Sequence, residues 1–201
     1  MPSGLSKSDG RKVRSMIGYA LCGSFCTHKK SVDILRKLKE KGYDIQPIAS
    51  ENAYSTDTHF GTAQDLRDTL YGICQKEIIH TIKDAEPLGP RVSLDALVIC
   101  PCTGNTLAKI ANGITDTAVT MAAKAHLRSD RPLVIALASN DALSANLKNI
   151  GALLQKKQVY FVPMAQDDPE KKPHSLVADF SLVPETLKLA MSGKQIQKIF
   201  R

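Results

Sequence analysis

Short, mainly apolar runs alternate along this chain with longer stretches in which apolar residues return every three or four positions. The runs are 15–22, 43–49, 96–100, 132–138 and 159–162, and each gives way to Gly, Ser or Pro. Runs this short and continuous read as strands buried on both faces. Between them, Ile34, Leu35 and Leu38 mark one helix and residues 62–74 a second. Leu107, Ile110, Ala111 and Ile114 mark a third, 118–128 an Ala-rich fourth, and 142–156 a fifth. Thr27 is placed to cap the first helix and Lys41-Gly42 to end it. Residues 77–81 read as one further short strand, and 53–59 and 84–93 as loops, the second holding Pro87, Gly89 and Pro90. Pro169 and Pro173 exclude a helix interior or a central strand from 166–175. Residues 176–191 read as a last amphipathic helix, restarted at Pro184 and stopped at Gly193. Strand–helix alternation of this kind predicts an α/β fold, a parallel sheet with helices on both faces. Residues 15–195 form its one domain, behind a tail at 1–14.

Ligands of such sheets sit at the carboxyl ends of the strands. Four polar clusters fall at expected strand ends: Gly23-Ser24-Phe25, Ser50 to Asn52, Thr103 to Thr106, and Ser139-Asn140. The fullest is 101–116, Pro-Cys-Thr-Gly-Asn-Thr-Leu-Ala-Lys-Ile-Ala-Asn-Gly-Ile-Thr-Asp, a strand turning through small and polar residues into a helix. The first turn of a helix has free N–H groups and a partial positive charge, so phosphate or carboxylate settles there. Gly104 would let the backbone approach such a group. The candidate cofactor-binding residues are Gly23, Ser24, Phe25, Thr27, Ser50, Asn52, Thr103, Gly104, Thr106 and Ser139. Asn105 and Asn140 are candidates for holding substrate. Lys109 and Lys124 are candidate cations for a carboxylate. His59 and His174 are candidate proton carriers, since imidazole titrates near neutrality; His59 and Lys109 are the catalytic candidates. Residues 166–175, charged and stiffened by proline beside the same strand ends, read either as a lid or as a solvated loop.

Composition narrows the partners. The chain has 201 residues, 43% hydrophobic and 23% charged, which suits a single globular core. No apolar run approaches the ~18 residues that a membrane span needs, and the N-terminus lacks the apolar stretch of a signal peptide. The net charge is +7, carried by the two ends: Lys7, Arg11, Lys12 and Arg14 against Asp9, and Lys188, Lys194, Lys198 and Arg201. The stretch between is neutral on balance, aromatics are 5% and Trp is absent. A nucleic-acid binder should instead carry a basic stripe with stacking aromatics on its folded body, so nucleic acid is not an expected partner. The five cysteines, Cys22, Cys26, Cys74, Cys100 and Cys102, are an odd number without zinc spacing. They point to a reducing compartment and to no metal site.

Residues 101–116 resemble the Pro-Ala-Ser-Ala-Asn-Thr signature of the flavoprotein family, which includes the homo-oligomeric flavin-containing cysteine decarboxylases. The Gly23-Ser24 turn is similar to the end of that family's first strand. Leu137-Ala138-Ser139-Asn140 partly matches its Pro-Ala-Met-Asn signature. The resemblance runs over 15–165. It implies a three-layer Rossmann-like sheet, FMN bound at the strand carboxyl ends, and a homo-oligomer built on trimers. One branch is more similar still, that of the dipicolinate synthase B subunits. It is carried by Glu86-Pro-Leu-Gly-Pro90, Thr103-Gly-Asn105, Ser139-Asn-Asp-Ala142 and Gln166-Asp-Asp-Pro-Glu-Lys-Lys-Pro173. That branch implies oxidation of dihydrodipicolinate, a small dicarboxylate ring, to dipicolinate during sporulation. The partner would be the dehydrogenase-like A subunit of dipicolinate synthase, which would hold NADP, in the cytoplasm of the mother cell. The alternative is a non-catalytic partner, built on a vestigial flavin pocket, that steadies the A subunit. One departure matters. The decarboxylases' catalytic His would fall near Pro87, and no His lies between His80 and His126, so peptidyl-cysteine decarboxylation is not expected.

Overall fold

A computed structural model describes residues 15–89 and 91–201, and the expected tail at 1–14 lies outside the described residues. Five parallel strands form the centre: β1 (Met16–Leu21), β2 (Asp44–Ala49), β3 (Ala96–Cys102), β4 (Leu133–Ser139) and β5 (Val159–Phe161). They lie in the order β2-β1-β3-β4, with β5 beside the first half of β4. Every residue of β3 and β4 is buried, as unbroken apolar runs require of a sheet covered on both faces. The covering helices are α1 (His28–Glu40), α2 (Glu51–Ser55), α3 (Ala63–Cys74), α4 (Ile82–Ala85), α5 (Gly104–Ala111), α6 (Ala118–Leu127), α7 (Leu147–Leu154) and α8 (Val183–Ala190).

The sheet is mixed rather than purely parallel. β5 pairs only with Leu133, Val134 and Ile135, which leaves the last residues of β4 without a partner on that side. There Ala138 and Ser139 pair antiparallel with Val177 and Leu176 of β7 (Leu176–Ala178). β7 pairs in turn with β6 (Met164–Ala165). The helix expected over 176–191 therefore begins as a strand. It becomes helical at a 3-10 turn, Phe180–Leu182, with Pro184 in the first turn of α8, where its missing N–H costs nothing. The domain also runs past residue 195. Met164 N–H donates to Ile199 O at 2.8 Å and Arg201 N–H to Met164 O at 3.1 Å, so the C-terminal residues extend the sheet edge.

Other expected boundaries shift for local reasons. α5 stops at Ala111 because Gly113 takes φ +73° and Ile114 N–H bonds back to Lys109 O at 2.9 Å. Ile114, expected on the buried face, is 47% exposed. Residues 142–146 are turns rather than helix: Ser144 Oγ and Asn146 N–H both bond to Asp141 O, offering the backbone an alternative. The expected strand at 77–81 shrinks to one bridge, Ile79 to Ile48. Residues 51–55 and 82–85, which run into the loops expected at 53–59 and 84–93, form short helices capped by Ser50 and Thr81. The small-residue face of α6 is buried against α4 and the sheet.

Candidate functional site

Because the strands run β2-β1-β3-β4, the turns that leave them stand side by side on one rim. Backbone bonds fix the spacing: Ser50 N–H donates to Leu21 O at 2.9 Å, and Cys22 N–H to Pro101 O at 3.2 Å. All four polar clusters expected at strand ends meet here. In the first turn, Ser24 N–H returns to Cys22 O, and Thr27 Oγ1 donates to Ser24 O at 2.8 Å. Thr27 thus holds the turn and does not cap α1 with its side chain. The amides of Phe25 and Cys26 have no backbone or side-chain acceptor among the described residues and are available to an anion. Gly23 faces Asn52: a Cβ there would lie 3.4 Å from Asn52 Cβ. Ser50 caps α2 by accepting from Ala53 N–H at 3.3 Å, which leaves the first amides of α2 on the same rim.

The third turn is tightly organised. Thr103 Oγ1 accepts from Thr106 N–H at 3.3 Å and donates to Thr106 Oγ1 at 3.1 Å. The sequence pattern leaves Gly104 open to a ligand; the structure fills that space with side chains. A Cβ on Gly104 would stand 2.6 Å from Asp141 Oδ1 and 2.7 Å from Asn146 Nδ2, and against Ser139 Oγ. Ser139 Oγ donates to Asp141 Oδ1, and Asn146 Nδ2 donates to both carboxylate oxygens at 2.9 Å. The hydrogen bond from Ser139 is the main cause that holds the Asp141 carboxyl below its usual range. The Ser139 hydroxyl proton is thereby given to Asp141. A carboxylate at the start of α5 already answers the helix dipole, so a second anion is better received at the β1–α1 and β2–α2 turns.

Asn105 and Asn140 are exposed on this rim, and neither side chain has a hydrogen bond among the described residues. Lys109 lies in the last turn of α5, its Nζ 2.9 Å from Asp116 Oδ2. The structure therefore places it at the opposite end of α5 from the rim, paired with an acid. His59 is exposed in the turn between Thr58 and Gly61, its ring 3.9 Å from that of Phe60. The 166–175 segment joins β6 to β7 and projects past the end of β4, where His174 O accepts from Leu143 N–H at 2.9 Å. The thiols at the strand ends are inert: burial pushes Cys22 up to about 11 and Cys100 up to about 12, so neither is a thiolate near neutrality. Sequence reading misses His28, the first residue of α1. Its Nε2 is 2.7 Å from Cys22 O, directly behind the first turn. Nothing in the local pattern distinguishes it from a solvated helix residue.

The model of one family, described as Flavoprotein, matches residues 5–181. The chain belongs to the flavoprotein family. Among flavoproteins it resembles the B subunit of dipicolinate synthase from Bacillus subtilis (strain 168). The two are 41% identical over 183 residues, 91% of this chain and 92% of that one. The crystal structure of the same B subunit from Bacillus halodurans C superposes with a TM-score of 0.86 at 38% identity, covering 93% of this chain and 96% of that one. More distant flavoproteins share the fold alone. AnUbiX, solved in complex with FMN and dimethylallyl pyrophosphate, gives a TM-score of 0.60 at 20% identity, over 75% of this chain and 78% of its own. No helix among the described residues is long and apolar enough to cross a membrane.

Proposed function

We propose that this chain is the flavin-holding B subunit of a two-component enzyme that oxidises dihydrodipicolinate to dipicolinate. It acts beside a dehydrogenase-like A subunit that carries NADP, in the mother-cell cytoplasm of a spore former. One observation carries the reading: four strand-end turns converge on one rim, in a chain 41% identical, nearly end to end, to the B subunit of a dipicolinate synthase. The rim fits FMN. Phe25 and Cys26 amides, Ser24, Ser50 and the first turn of α2 would hold the phosphate, and Gly23 and Asn52 would flank it. Thr103 and Thr106 shape the floor, and Gly104 and Ser139 brace that floor through Asp141. Bound there, a flavin supplies a two-electron acceptor for hydride. Asn105 and Asn140 offer free amides to a substrate carboxylate beside it. Lys109, paired with Asp116, orders the end of α5. The family resemblance favours a homo-oligomer built on trimers.

The test is a flavin titration of the purified chain, followed by turnover with the A subunit. Saturable FMN binding at micromolar concentrations, and oxidation that requires both chains, are expected. Full activity of the A subunit without this chain, and no FMN retained here, would sink the reading. That outcome belongs to a steadying partner with a vestigial pocket, the second reading, which the anionic Asp141 beside the third turn favours.

A further inference from the structure

Next to the rim, α1 and residues 53–69 line an open-sided cavity of about 340 Å3. It reaches the first cofactor turn, since Phe25 of that turn lines it together with His28. Phe25 and Phe60 supply aromatic walls. Lys29 and Arg36 bring two cations from one face of α1, and Asp33 and Asp65 bring two acids. Thr62 Oγ1 donates to Asp65 at 2.7 Å, and neither cation is ion-paired among the described residues.

His28 is the chemically pointed group in this wall. The Cys22 carbonyl can only accept, so Nε2, 2.7 Å away, carries the ring proton. A neutral imidazole with Nε2–H keeps its lone pair on Nδ1, and no protein group meets that nitrogen among the described residues. Burial lowers the pKa of His28, and its place at the start of a 13-residue helix acts in the same direction, so the ring is a neutral base at pH 7.

We propose that this cavity seats a small planar ring carboxylate and that His28 Nδ1 accepts the proton released as the ring is oxidised. The proposal rests on the oxidative function given above, seats the ring in this cavity instead of beside Asn105 and Asn140, neither of which lines it, and adds the base. The dihydropyridine ring loses two hydrogens. One leaves as hydride, with its C–H electron pair, to a flavin or nicotinamide acceptor. The other leaves as a proton, forms the Nδ1–H bond of an imidazolium, and returns its bond pair to the ring, which becomes aromatic. Lys29 and Arg36 offset the carboxylate charge, while Asp33 and Asp65 keep the affinity modest and sensitive to salt.

The experiment titrates the chain with dipicolinate, the stable aromatic product, following the His28 imidazole by NMR and the heat by calorimetry. Saturable binding that moves the His28 signals is expected. Arg36→Ala should weaken it about tenfold, the loss of one charge-assisted contact. Phe60→Ala, at an exposed position where folding is not at stake, should weaken it as well. His28→Gln can still donate to Cys22 O and should bind dipicolinate nearly as the parent does. With FMN and the A subunit it should turn over about 100-fold more slowly, the usual loss when a general base is removed. Stationary His28 signals, or His28→Gln turning over at the parental rate, would overturn the assignment. If the parent chain binds dipicolinate at His28 but takes no FMN and supports no oxidation, the functional reading falls and the seat stands.

Discussion

Gly104→Ala places a methyl group where the Ser139–Asp141–Asn146 cluster packs. Its Cβ would lie 2.6 Å from Asp141 Oδ1 and 2.7 Å from Asn146 Nδ2. Ordinary contact starts at 3.4 Å, so both atoms must retreat by about 0.7–0.8 Å. Overpacking of that kind costs about 1–3 kcal/mol. The retreat also loosens the bonds that Ser139 and Asn146 make to the Asp141 carboxylate, adding about 1 kcal/mol at a half-buried site. Helix propensity returns at most about 1 kcal/mol, and less at a first-turn position. The net loss is about 1–4 kcal/mol, which lowers Tm by about 2–16 °C in a chain of this length. Thermal and urea melts of the flavin-free protein measure it. Gly72→Ala is the control, since Gly72 sits inside α3 with nothing within 4 Å of an added Cβ; it should gain about 0.5–1 kcal/mol. Gly104→Ala combined with Asp141→Ala should recover part of the loss, because the second change vacates the contested space. A Gly104→Ala protein that melts with the parent would refute the packing account of this corner.

Thr103→Ala removes the cap of α5 and should cost about 1 kcal/mol in urea melts while weakening FMN retention. Lys109→Ala breaks a half-exposed ion pair, so it should cost less than about 1 kcal/mol and leave flavin affinity unchanged in the same titration. Acid should destabilise the fold through His28 and His126, both held below the ordinary histidine range by burial. The unfolded chain takes up their protons first, so stability is full above about pH 6.5 and falls as pH drops below it. His126, with Nε2 donating to Pro132 O and Nδ1 unpaired, should contribute most; urea midpoints of His126→Gln should fall less steeply between pH 7 and 5. Asp141, held below the carboxylate range, contributes stability that is present above about pH 4 and lost below it. Asp141→Asn should therefore flatten the acid end of the same curve.

Five parallel strands, the helices between them and the rim where polar turns gather are all legible in the order of residues. Those features repeat a local period, and the buried run from Ala96 to Cys102 has no other stable place than mid-sheet. The caps at Ser50, Thr62 and Thr103 are local too, a side-chain oxygen reaching its own helix start, although the pattern marks only Thr27, whose side chain holds the preceding turn instead. Contacts between distant segments settle the rest. β6 and β7 have two and three residues, too few to show a period, and they exist because β5 is short and leaves the end of β4 unpaired. Gly104 looks like an open approach to a ligand because nothing in its own segment reveals Asp141, brought there by the end of a different strand. His28 faces a cavity only because α1 and the 53–69 segment pack across from each other. Long-range packing chooses which polar groups meet, and pattern along the chain records only which ones each element can offer.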